Sequence, residues 1–469
     1  MILSDWIRLG SHRWQLNASG PMRVPVIACA SEALLQEMDA IVRQQACQVA
    51  QLPGIAAPVL LMPDAHWGYG VPIGTVAAFD GERDGVVCAA GVGFDVACGV
   101  RALLTGLRRP QVLEQQQALA DALFARIPAG LGSRGALHLG DDALEGMLRG
   151  GAHWAVEQGW GYPEDLQRCE LRGCSAGADP AAVSALARQR QRAEMGTLGS
   201  GNHYLEVQAV QELLAPELAA ALDLAPDAVL VMLHCGSRGL GHQVASDAIR
   251  LMTQAAGEPG LAHAPIHSPL GQHYLGAMRA AINSALANRQ ILSQLVREAF
   301  ALFWPQAQLR LLYDHCHNTC QQEEHLLGHD CRRLHVHRKG ATRAFGPAHG
   351  DLAEPFNRTG QPVLVGGSMG TASYVLVGVD GNEALSLGSA CHGAGRRISR
   401  HQAQRQWSGR QLQEALAAQG IAVRCASSRG LAEEAPGAYK DVDAVVEAAE
   451  AAGLARRVAR LAPLICIKG

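Results

Sequence analysis

The chain has 469 residues with a formal net charge of −3, and its 48% apolar and 18% charged content is that of an ordinary globular protein. No run of about 18 apolar residues is present to span a bilayer, and the start MILSDWIRLGSHRW lacks the basic head and apolar stretch of a signal peptide. Its 13 cysteines, an odd number without paired CxxC spacing, do not describe a disulfide framework, which points to a reducing cytoplasm.

In chain order, apolar residues recur every three or four positions over Ser31–Gln51, Pro110–Ile127, Ala181–Met195, Tyr274–Phe303 and Asp441–Leu461, which predicts five helices, with Ser31 as N-cap of the first. Between them lie β-type runs: VLLMPD, GVVCAA, HYLEVQ, AVLVMLHC, LRLLYD, RLHVHR, PVLVGG and SYVLVGV. Helices and strands do not alternate regularly. The expectation is an α+β fold with a central, mostly antiparallel β core flanked by helices.

Only three of the 40 basic residues are lysine: Lys339, Lys440 and Lys468. A lysine kept where arginine is the rule marks a place where a compact ammonium is needed. No lysine follows glycine, so there is no P-loop, and the Lys-x-Asp-Gly nucleophile motif of familiar polynucleotide ligases is missing. Any covalent nucleotide chemistry needs another nucleophile.

Five segments carry chemistry. GVGFDVACGVR sets Asp95 and Cys98 three apart among glycines that let the backbone approach a ligand. GTLGSGNHYLEVQ follows a glycine turn with Asn202 and His203. Strand alternation there puts His203 and Leu205 on one face and Asn202, Tyr204 and Glu206 on the other. VLVMLHCGSRGLG brings His234 to a strand end before Ser237 and Arg238, and LLYDHCHNTC holds His315, Cys316, His317, Asn318 and Cys320. Without a second pair at zinc-finger spacing, that last cluster is not read as a structural zinc. His325 and His329 match a zincin helix only superficially, because the glutamate precedes the first histidine. SACHGAGRR places His392 at the head of a glycine turn, where free amides cradle phosphate and the ring can act as ligand, acid–base or nucleophile. Singly each motif is weak. Together they suggest two divalent metals about 3.5–4 Å apart, bridged by Cys98 and serving phosphoryl transfer. Ligand chemistry alone does not choose between zinc and manganese.

In this order, with MPDAHWGYGVPIG, HVHRKGATRAFGP, GGSMGTASYV, EEAPGAYKDVD and LAPLICIKG, the segments resemble the RtcB family of RNA-splicing ligases over nearly the whole chain. The resemblance implies one catalytic domain over 1–469, acting as a monomer. It would join RNA 2′,3′-cyclic phosphate or 3′-phosphate ends to 5′-hydroxyl ends in tRNA splicing or RNA repair, using GTP and two Mn²⁺ ions. It implies metal ligands at Asp95, Cys98, His203, His234 and His317, and a guanylylated histidine at His392. Nucleotide contacts would come from Asn202, His203, Tyr204, Leu205 and Glu206, from His317 and Asn318, and from Gly366, Gly367, Ser368 and Met369. Ser373, His392, Gly393, Ala394, Gly395 and Lys468 complete the set, Lys468 through a tail folded back to the site. Glu206 would accept from guanine N1–H and its amino group. An archease-like activator is the protein partner the resemblance suggests. The family usually has proline at Gly366 and phenylalanine at Tyr204, and Gly135–Cys169 carries no assigned role. Two other readings stay open on the residues: an RNA-end phosphoesterase that does not ligate, and a non-catalytic GTP- and RNA-binding factor.

Overall fold

Two large sheets frame the computed structural model, which describes residues 3–135, 137–256 and 261–469. The first sheet runs Ile7–Gly10, Arg13–Leu16, Val26–Cys29, Val59–His66, Ile73–Asp80, Asp330–Lys339, Asn318–Leu327. The second runs Arg310–Cys316, Gly99–Arg108, Ala228–Cys235, Tyr204–Leu213, Ala455–Lys468, Ser373–Gly378, Pro362–Val365, with Ala422–Cys425 also beside Ala455–Lys468. Apart from the Val26–Cys29/Val59–His66 and Ala422–Cys425/Ala455–Lys468 pairs, the neighbours within these two sheets are antiparallel. The α+β architecture with an antiparallel core is therefore as the sequence led one to expect. None of the described helices is long and apolar enough to cross a membrane.

Alternation along Tyr204–Leu213 separates two packed layers. Leu205 and Val207 join Leu233, Val296 and Phe300 on one side, whereas Tyr204 joins Met232, Leu364 and Val375 on the other. The helix Pro269–Ala301 lies almost wholly within the protein; Ser268 caps it by accepting from Gly271 N, and proline occupies its first turn.

Four helix expectations change in extent. Ser31 does cap a helix, but that helix ends at Glu37 because Met38 is extended, and Asp39 caps a second one, Ala40–Val49, by accepting from Ile41 N. The 110–127 pattern divides at Gln115 into Arg109–Glu114 and Gln116–Arg126. The third contracts to Ala185–Gln191. The last stops at Ala451, and from Ala455 the chain is strand. Gly453 turns it with φ +77°, and a bulge at Pro463 admits proline to a central strand. The described residues 137–169 are scaffold: their helices Asp141–Gly150 and Ala152–Glu157 pack on Pro269–Ala301, and buried Asp165 accepts two bonds from Arg297 at 2.7 and 2.8 Å.

Candidate metal and nucleotide site

Antiparallel register collects the site at one end of the second sheet. Gly99 pairs with Cys316 and Cys235, His234 pairs with Val100 and Tyr204, and Tyr204 pairs with Lys468. Cys98, His203, His234, His317 and Lys468 thus reach one spot from segments up to 370 residues apart in sequence (468 minus 98). Lys468 arrives as the end of a fourteen-residue strand, not by a folded-back tail. Just before Cys98, Ala97 adopts φ +55° and donates its N–H to Asn318 O at 2.8 Å. Arg289 ties the strand ends from beneath. Its guanidinium donates to Ala97 O and Cys235 O and, with Arg101, grips the fully buried Asp314.

Cys98 Sγ stands 3.4 Å from His203 Nε2 and 3.1 Å from His234 Nε2. His234 Nε2 is 3.2 Å from His317 Nε2, and His203 Nε2 is 2.7 Å from Asp95 Oδ2. These atoms form two groups that share Cys98, one with His234 and His317 and the other with Asp95 and His203. His234 Nδ1 donates to Asn202 O at 3.0 Å, which leaves a bare lone pair on Nε2. Burial pushes both His234 and His317 well below the usual imidazole pKa, so both rings are neutral. Burial raises the Cys98 thiol far above its usual value, with Asp95 adding to the effect. For Asp95 burial works against ionisation, but His203 holds the carboxyl below its usual range. Lone pairs converging in a dry site repel one another unless cations sit between them. The donor set fits divalent metals at both groups.

Beside this cluster opens a cavity of about 340 Å³. His392 lines it, its ring centroid 4.7 Å from that of His317. His392 Nδ1 lies 2.6 Å from Oδ2 of Asp64, a fully buried carboxylate that also accepts the backbone N–H groups of His392 and Gly393. Burial opposes the charge on Asp64, yet His392 keeps its carboxyl below the usual range. Lys440 donates to Ala65 O at 2.6 Å and pins the segment that carries Asp64. Asp64 was not anticipated from sequence. The trace it leaves there is an acid inside the apolar run VLLMPDAH.

Asn202, Tyr204, Glu206, Asn318, Gly366, Gly367, Ser368, Met369, Gly393, Ala394, Gly395 and Lys468 also line the cavity. Glu206 accepts from Gln208 Nε2 at 2.5 Å, and burial lifts its pKa to about 7. Lys468 Nζ donates to Gly201 O at 2.9 Å and stands 3.7 Å from Glu434. Three expected contacts lie behind the wall. Leu205 points into the core, His203 belongs to the ligand cluster, and Ser373 Oγ accepts from Gln208 Nε2 and Gly367 N. Arg396, Arg400, Glu434 and Tyr439 line the cavity without having been singled out.

The other histidines and cysteines disperse. His315 Nε2 accepts Leu364 N, Cys316 Sγ accepts from Arg289, and Cys320 faces His337. His325 lies on the strand Asn318–Leu327 beside Glu323, and His329 lies in the turn after it, so these two form no helical pair.

A family model described as tRNA-splicing ligase RtcB matches residues 45–469. The chain is 51% identical, over 434 residues, to the RNA-splicing ligase RtcB of Mycobacterium tuberculosis, covering 91% of this chain and 100% of that protein. It is 46% identical to the tRNA-splicing ligase RtcB of Thermococcus kodakarensis over 98% of both chains. A third relative, RNA-splicing ligase RtcB homolog 1 of Entamoeba dispar, is 43% identical over 91% of this chain and 81% of its own.

Proposed function

The chain belongs to the RtcB family of tRNA-splicing ligases, and from that premise we propose that it is a GTP- and Mn²⁺-dependent RNA ligase working through a guanylylated His392. It joins RNA ending in a 2′,3′-cyclic phosphate or 3′-phosphate to RNA with a 5′-hydroxyl. Residues 1–469 act as one catalytic domain, a cytoplasmic monomer.

Asp64 Oδ2 stands 2.6 Å from Nδ1 of His392, which favours the proton on that nitrogen and leaves Nε2 its lone pair for attack. Nε2 forms a bond to the α-phosphorus of GTP while the bond to the β-phosphate oxygen breaks and pyrophosphate leaves. An oxygen of the RNA 3′-phosphate then displaces Nε2 and takes the GMP; a cyclic end is first opened by water. The 5′-hydroxyl oxygen gives up its proton and attacks the 3′-phosphorus, and GMP departs. Two Mn²⁺ held by Asp95, Cys98, His203, His234 and His317 would neutralise charge on the phosphate oxygens. Glu206, when ionised, accepts from the guanine edge.

The observation that carries this reading is the contact between His392 and buried Asp64, at the wall of the cavity that the ligand cluster opens onto. A phosphoesterase would use the same ring only as a general acid or base and would form no covalent nucleotide, so labelling separates the two. The test is incubation with α-labelled GTP and MnCl₂. Acid-labile, base-stable label on wild type and not on His392→Ala supports the ligase. Absence of label on wild type with Mn²⁺, Zn²⁺ and Co²⁺ alike overturns it in favour of the phosphoesterase. Turnover with and without added cell extract tests for an archease-like activator.

A further inference from the structure

Only 4% of the chain is Phe, Trp or Tyr, and among the described residues just three such side chains are exposed. Two of them, Trp67 (57% exposed) and Tyr69 (43%), stand two residues apart on one short loop, of which Tyr69 lines the cavity. The loop is fastened by its backbone. Lys339 Nζ donates to Tyr69 O and Val71 O at 2.8 and 2.7 Å, and Gln45 Nε2 donates to Gly68 O at 2.6 Å. Tyr69 lies 5.4 Å from Phe94, and Phe94 stacks at 5.2 Å and 25° on the exposed His242. Tyr69 and Phe94 line the same cavity as His392, and Phe94 directly precedes Asp95. A run of rings therefore leads from the chemistry out to solvent.

We propose that the Trp67–Tyr69–Phe94–His242 ledge stacks the unpaired nucleobases of RNA ends as they enter the cavity. The inference rests on the ligase reading above and names the part of its substrate that the pocket does not hold. Stacking suits a ligase because every base has a π-face, so ends of different sequence bind alike. A loop fixed through its carbonyls presents rings without an ordering cost, and the rings' continuity with the cavity wall sets them where a strand end must pass.

The test uses full-length, Mn²⁺-loaded protein and hexaribonucleotides carrying 2-aminopurine at the terminal nucleotide. One set ends in a 3′-phosphate and the other in a 5′-hydroxyl. Wild type should quench the fluorescence of at least one set, which identifies the strand that uses the ledge. Trp67→Ala and Tyr69→Ala should each bind that set about tenfold more weakly, and Trp67→Phe should recover most of the loss. With an abasic terminal nucleotide the difference between wild type and variants should vanish. Equal binding by wild type and both alanine variants overturns the ledge, as does an equal loss on abasic strands. If wild type takes no label from GTP, the ligase reading falls; if it labels and seals RNA while the variants bind normally, the ledge alone falls.

Discussion

The hydroxyl of Tyr204 occupies the space that a side chain on Gly366 would need: a Cβ there would stand 2.1 Å from Oη and 3.0 Å from Cζ. Tyr204 and Gly366, the two positions at which the resemblance implies other residues, are therefore sterically coupled. Gly366 is held in place: its carbonyl accepts from Ala394 N at 3.1 Å and it bridges to Gly393. Gly366→Ala alone should weaken nucleotide binding and cost about 1–3 kcal/mol from overpacking. Combined with Tyr204→Phe, which removes the hydroxyl, most of that loss should return. A double-mutant cycle on GTP affinity and melting temperature checks this; strict additivity would mean that the contact carries no energy.

Asp64→Asn keeps the size of the side chain but can present an amide to His392 Nδ1, favouring the wrong tautomer. Guanylylation should slow by about 10²–10⁴-fold, with GTP affinity little changed. Single-turnover labelling against pH measures it. A merely structural role would lower the melting temperature in step with the rate and leave the pH profile unmoved.

For Glu206 the direction with pH is set by burial, which lifts its pKa from the usual 4.5 to about 7. The folded state holds the proton more tightly than the unfolded chain, so the free protein loses stability as pH rises from 4.5 towards 7. Guanine recognition runs the other way. If the carboxylate accepts from the base as proposed, GTP affinity should climb through the same window and level off above it. Calorimetric titration of GTP between pH 5.5 and 8.5 should show the rise in wild type and a flat, weakened response in Glu206→Gln.

Removal of the Arg289 guanidinium, as in Arg289→Met, leaves Ala97 O and Cys235 O without their donor and Asp314 with Arg101 alone. The expected destabilisation is about 3–5 kcal/mol. Metal content should fall as well, because Cys98 and His234 ride on those strand ends. Thermal melting and elemental analysis of the purified variant test both parts. An unchanged metal content would separate the strand ends from the ligand geometry.

Cys98 belongs to both ligand groups, so Cys98→Ala should lose bound metal and ligation together. His317→Ala removes a ligand of one group only and should leave about half the metal. Equal metal retention by both variants would remove Cys98 from its bridging place.

The ligand-bearing strands could be read because each is an apolar run ending in an imidazole or thiol. AVLVMLHC matches its strand residue for residue. Asp64 could not, because its role depends on a contact to His392 across 328 residues that only the fold creates. The Asp441–Leu461 pattern misled for a physical reason. The helix Val442–Ala451 and the strand after Gly453 are both apolar, and Arg457 and Arg460 stand at a helical spacing, which the strand accommodates through the break in its pairing register opposite Val375 and Leu376. His325 and His329 show the converse, a helical spacing realised on a strand and its turn. Arg289 was hidden inside a helix correctly foreseen, since periodicity marks a face as buried without saying which polar group travels with it.

Ala455–Lys468 lies in the middle of its sheet, between Tyr204–Leu213 and Ser373–Gly378, and also carries Ala422–Cys425 alongside. A chain still being made has its thiol and histidines before this strand exists, but Tyr204–Leu213 and Ser373–Gly378 then lack the partner strand that lies between them. The strand acts as a keystone: Lys468 and the wall beneath Glu206 arrive together with it. Such long-range closure is slow, and it has a protective side. On the proposed reading, a product truncated before Ala455 keeps Cys98, His203, His234, His317 and His392 but lacks Lys468 and the strand beside Glu206, so it is expected not to ligate.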